Sequence, residues 1–271
     1  MRTPRLTSTA LAATIFVIVG AIAPVPVAAQ SQLAQAQPPA LSPAQAPAPA
    51  APKPYKAVAI KLPEPVKDAS FEAFRKQLAT IAQKKDRAGL ARLIAKNFFW
   101  IPEDKDAADK KKSGIENLAK AIGLDGRDAP GWELLAGYAS DPTADKDPDR
   151  PGVICGPGDP TFDEKEAEEL AASTETDAAD WGYPATNGLE VRSGPTKNAA
   201  VIEKLGLHLV RIYADESPAS AVNADSLRIV TPSGKIGFVP AEAILPLASD
   251  HLCYVKEGNA WKIAGVIGGS T

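Results

Sequence analysis

Two cysteines, Cys155 and Cys253, and two histidines, His208 and His251, are the scarce reactive side chains of this 271-residue chain. A thiol nucleophile needs a base within hydrogen-bond reach. His251 and Cys253 alternate onto one face of an expected strand, but two residues of rise hold them about 7 Å apart, too far for that bond. Zinc takes four ligands, or three and a water, and Cys155, Cys253 and His251 are the only donors that could be put forward. Asp145, Asp147 and Asp149 alternate like the start of a calcium loop, yet the sixth and twelfth places, where such a loop wants glycine and a bidentate glutamate, hold Arg150 and Gly156. Gly156-Pro157-Gly158 is too proline-bound to cradle a phosphate, and Asp163 and Glu164 read as surface acids. The expectation is therefore no catalytic residue, no metal site and no cofactor, and a protein that is not an enzyme.

The compartment decides what the two cysteines do instead. Arg2 and Arg5 precede an uncharged, largely apolar run from Ala10 to Ala23, and Val27-Ala28-Ala29 supplies small residues before Gln30. A charged start, an apolar stretch and a small-residue cleavage pattern make a secretory signal peptide over residues 1–29. Pro24 and Pro26 break the run short of the roughly 20 residues a spanning helix needs. No cysteine follows the cut, so no lipid anchor is expected, and after cleavage no stable membrane anchor remains. The predicted location is periplasmic or secreted. In an oxidising compartment Cys155 and Cys253 are expected to pair, closing a loop near one hundred residues long and joining the helical part to a terminal hairpin. Removing the signal takes two arginines and no acid from 30 basic and 33 acidic side chains, which leaves a net charge of −5. Nucleic-acid binding, which needs clustered cations, is not expected.

The elements follow from periodicity. Residues 30–67 are rich in Ala, Pro and Gln, with prolines at 38, 39, 43, 47, 49, 52 and 54. Such a stretch propagates neither helix nor sheet and reads as a disordered, extended linker. Phe71, Phe74, Leu78 and Ile81 recur at helical spacing behind Asp68 or Ser70, and a second short helix behind Asp86 carries Leu90, Leu93 and Ile94. Phe98 to Ile101 reads as a buried strand or plug. Ser113 to Glu116 has the form of a capping box, its helix stopping at Gly123, and Pro130 opens a fourth helix with Trp132, Leu135 and Tyr138. Residues 141–160 hold five prolines and three glycines and predict irregular chain; Glu164 to Ala172 predict an acidic surface helix. The whole of 68–180 reads as a mainly helical subdomain with an irregular Pro-rich loop.

From Trp181 the pattern turns to short strands cut by turns: 189–192, 201–205, 209–213, 227–230 and 234–239. Leu189-Glu190-Val191-Arg192-Ser193-Gly194-Pro195 at the start and Gly234-Lys235-Ile236-Gly237-Phe238-Val239 at the end resemble the opening and closing motifs of bacterial Src-homology-3-like (SH3-like) domains, with Phe238 where that family often has tryptophan. The resemblance covers about sixty residues and implies an SH3-like β-barrel over 181–247. A hairpin around Glu257-Gly258-Asn259 occupies 248–271 and adds to the barrel or ties it to the helices. The expected class is α+β. What the resemblance implies about function is a binding module of the cell envelope that recognises a cell-wall peptide or an envelope partner protein, with Arg192, Tyr213 and Phe238 as ligand-binding candidates. Its alternatives are a structural envelope protein without a ligand groove, or an accessory part of a peptidoglycan-processing system.

Overall fold

The computed structural model describes residues 52–213 and 225–269. The signal-peptide pattern and residues 30–51 of the expected linker lie outside them. From Pro52 to Lys67 the chain is not a free linker: it is a strap packed on the rest of the fold, carrying strand β1 (Ile60–Lys61). Val58, Ile60 and Leu62 alternate inward, with Val58 and Ile60 buried. The Leu209 N–H donates to the Val58 carbonyl at 2.9 Å and the Ile60 N–H to the Leu207 carbonyl at 3.1 Å. Upstream, the Tyr55 ring meets the Trp181 ring edge-on at 5.2 Å, and its hydroxyl donates to the Val230 carbonyl at 2.8 Å. Burying such side chains is worth about 1.5–3 kcal/mol each, enough to offset the poor strand propensity of the flanking prolines.

Next come α1 (Ala69–Gln83), α2 (Arg87–Arg92), β2 (Ile94–Ile101), α3 (Gly114–Ile122) and α4 (Gly131–Ser140). Asp68 caps α1, accepting the Ser70 and Phe71 N–H groups at 2.7 and 3.1 Å, so the exposed first turn loses little by ending there. Phe71, Phe74, Leu78 and Ile81 form its buried stripe. Asp86 caps α2 through the Gly89 N–H at 2.8 Å, and the helix is so short that Ile94, expected on it, is instead the first residue of β2. Glu116 reaches back to the Ser113 N–H at 2.9 Å, completing the capping box of α3, and Gly123 ends that helix at φ +69°. The Pro-rich stretch then departs from expectation: β3 (Asp145–Lys146) and β4 (Val153–Gly156) lie within it. Only three residues, Val153-Ile154-Cys155, carry the β signal there, too short a run to stand out between prolines.

The chain leaves β4 for a second unit: β5 (Thr161–Phe162), which pairs with β1, α5 (Glu164–Thr174), then β6 (Trp181–Pro184), β7 (Leu189–Arg192), β8 (Val201–Leu205), β9 (Val210–Ile212), β10 (Ser226–Val230), β11 (Ile236–Pro240) and β12 (Ile244–Pro246). The last seven form one sheet in the order β12-β6-β9-β10-β11-β7-β8. Val191, Leu205, Val210, Ile229, Val239 and Ile244 make one buried cluster, and the partly buried side chains packed on it come from the same strands. Both edge strands contribute to this cluster, Ile244 from β12 and Leu205 from β8.

The terminal hairpin, β13 (His251–Glu257) and β14 (Ala260–Ile267), returns to the first unit rather than extending the second. It completes a five-stranded sheet in the order β2-β14-β13-β4-β3, antiparallel except for the parallel β14–β2 pair. The helices α1–α4 cover one face of this sheet, where Leu252, Tyr254, Ile263 and Val266 meet Phe71, Leu78, Leu118 and Leu135. Residues 68–140 are thus not a self-contained helical subdomain: Leu252, Tyr254, Ile263 and Val266 of their core come from strands at the far end of the chain. The fold is α+β, with the second unit nested between β4 and β13.

On the opposite face of the five-stranded sheet, Cys155 and Cys253 stand directly across from each other and are joined in a disulfide with Cα atoms 4.0 Å apart. The bond ties the strand that leads into the nested unit to the strand that leads out of it. Disulfides persist in oxidising compartments, which indicates a non-cytoplasmic location. Among the described residues no helix is long and apolar enough to cross a membrane.

Candidate functional site

Three candidates fall on one row across the face of the seven-stranded sheet turned away from that buried cluster. Arg192 of β7 stands opposite Phe238 of β11, and Phe238 opposite Arg228 of β10. The Tyr213 N–H then donates to the Arg228 carbonyl at 2.9 Å, placing Tyr213 next in line at the end of β9. Directly opposed residues share a face, so the order across four strands is Arg192, Phe238, Arg228, Tyr213. The inward neighbours Val191, Ile229 and Val239 are core, which forces the row outward by strand alternation.

Each member is held differently. The Arg192 guanidinium donates to the Ala199 carbonyl at 2.9 Å and to Glu190 at 2.7 Å, fixing its plane. Arg228 lies 4.6 Å from the Tyr213 ring centroid, a cation–π contact. Phe238 is half-buried between the two arginines. Beside Phe238 and Arg192 runs a groove of about 460 Å³, bordered also by Pro195, Lys197, Asp225 and Glu242. Its cations come from the end of β7 and the turn after it, its acids from the start of β10 and the segment after β11. Tyr213 does not line the groove; it sits at the far end of the row, under Arg228. Arg228 is the member missed by sequence reasoning. The signal was the hairpin register: with Val230 opposite Ile236, Arg228 must face Phe238.

The remaining reactive side chains serve the fold. Both sulfurs are bonded to each other, so neither is a thiolate that could attack or ligate, although donor atoms of Asp147, Cys155 and Cys253 lie within 4.8 Å of one another. Asp147 is turned into its own loop, accepting the Asp149 and Arg150 N–H groups at 2.8 and 3.0 Å and pairing with the Arg150 guanidinium at 2.9 Å. Asp145 accepts the Asp159 N–H at 2.8 Å. His251 places Nδ1 2.9 Å from the Pro157 carbonyl and Nε2 3.7 Å from Asp159. Burial raises the Asp159 carboxyl above its ordinary range, and the facing His251 opposes that shift. His208 places Nδ1 3.1 Å from the Leu209 carbonyl, and its backbone bridges to Ala59 of the strap. Comparison with protein-family models, with curated proteins and with solved structures finds no match for this chain.

Proposed function

We propose that this chain is an exported, non-enzymatic binding module of the cell envelope, whose nested unit is an SH3-like barrel that grips a cell-wall peptide or an envelope partner protein. The observation that carries the reading is the groove beside Phe238 and Arg192. Part of its lining, Arg192, Gly194, Pro195, Phe238 and Val239, comes from the two segments whose motifs resemble the SH3-like family. A half-buried ring flanked by fixed cations and nearby acids suits a short peptide that carries both an amine and a carboxylate. The ring supplies contact area, and the charges set orientation. The disulfide supports a periplasmic or secreted setting.

One observation favours the structural alternative: Arg192 already spends hydrogen bonds on Ala199 and Glu190. Retention on purified peptidoglycan separates the two. Phe238→Ala is expected to reduce retention about tenfold or more, as truncation of a central interface ring does, with the thermal midpoint little changed because the ring is half-exposed. Loss of stability without loss of retention would make Phe238 a packing residue and the protein a structural one. Hydrolysis of peptidoglycan by the pure protein would overturn the non-enzymatic reading.

A further inference from the structure

A second depression, of about 300 Å³, lies where α5 leans on the nested sheet. Phe162, Leu170, Trp181, Leu209 and Leu247 line it, and Ala171 on α5 leaves it open. Trp181 is itself fixed, its Nε1 donating to Thr176 at 2.8 Å. The groove is apolar, but its rim is not: Glu164 and Glu168 stand along it. From Asp163 to Asp180 the chain carries eight carboxylates and a single cation, Lys165. Lys165 lies 4.0 Å from Glu169, and Lys56 of the strap pairs with Glu166 at 2.7 Å. Glu164 and Glu168 make no ion pair among the described residues. The helix N-terminus favours Glu164, whereas Glu168, four residues on and facing the same way, meets mainly repulsion from it. An apolar floor edged by two unneutralised like charges is complementary to one kind of surface.

We propose that this groove docks a cationic, amphipathic segment of a partner protein. A bulky apolar side chain of the segment seats over Trp181 between Leu170 and Leu247, and lysine or arginine side chains one helical turn apart pair with Glu164 and Glu168. Apolar contact provides affinity, while the acids steer encounter and reject anionic partners. The groove is formed by α5, β5, β6 and the segments at Leu209 and Leu247, so it stands independently of the Arg192–Phe238 site.

The test uses the full chain and a fluorescently labelled synthetic peptide of leucine and lysine patterned to form one apolar helical stripe, read by anisotropy. A peptide of the same composition with its leucines scattered, and a leucine–glutamate peptide with the original pattern, serve as controls. The patterned cationic peptide is expected to bind and both controls to fail. The double variant Glu164→Gln with Glu168→Gln should weaken binding about tenfold at low salt and flatten its salt dependence. Ala171→Leu, which fills the groove without changing charge, should abolish binding with the thermal midpoint preserved. Equal binding of the scattered peptide, unchanged affinity in the glutamine variant, or no binding of the patterned peptide would each overturn the proposal.

Discussion

Replacing both cysteines by alanine tests how the nested architecture is held. Cys155 and Cys253 are 98 residues apart in sequence, and the loop they close contains α5 and the whole seven-stranded sheet. A cross-link over about 100 residues removes unfolded-state freedom worth about 4.7 kcal/mol in the chain-entropy model. Loss of two sulfurs from the buried cluster with Phe99, Val153 and Ala264 adds a smaller packing cost in the same direction. Domains of this kind are stable by only about 5–15 kcal/mol, so the Cys155→Ala/Cys253→Ala variant should sit near the edge of folding. Urea melts followed by tryptophan fluorescence measure this, since Trp100, Trp132 and Trp261 report the five-stranded layer and Trp181 the nested one. The slope of free energy against urea should also rise, because the uncross-linked unfolded chain exposes more surface. A loss below about 1 kcal/mol would refute the reasoning and mean that the cross-link restricts the unfolded chain far less than its loop length implies.

Acid should loosen the start of α1: hydrogen bonds from the Ser70 hydroxyl and then the Phe71 N–H hold the Asp68 carboxyl down to about 2. Because the folded value is depressed, the stability it contributes is present above about pH 4 and lost as pH falls towards 2; Asp68→Asn should flatten the urea-melt stability profile across that window and leave the neutral range with little pH dependence of its own. Gly265→Ala should destabilise by about 1–3 kcal/mol, since a Cβ there would lie 2.5 Å from the Phe99 carbonyl oxygen where β14 is flanked by β2 and β13; a urea midpoint equal to wild type would contradict that close approach.

What could be read locally was legible. The stripe of α1, the Ser113–Glu116 box and the left-handed stop at Gly123 each depend on residues within a few positions, and the cysteine pairing followed from there being two of them. What failed was non-local. Nothing in Ile94 to Ile101 says that it runs parallel to a strand more than 160 residues later, so the helices looked like a subdomain when they are one layer over a shared sheet. The strap was hidden for another reason. Val58, Ile60 and Leu62 do alternate, but prolines on either side suppress local strand propensity, and only docking on Leu207 and Leu209 restores it. Arg228 was missed because a row across four strands appears only once the register is known, although the β10–β11 hairpin alone would have set it opposite Phe238.

Amide hydrogen exchange on adding soluble peptidoglycan fragments tests most directly whether the groove beside Phe238 binds them. Binding there should slow exchange at residues 192–197 and 238–242, which border the groove, while α5 and the helical layer stay unchanged. No slowing in those two segments at saturating fragment, or protection confined to another surface, would contradict it.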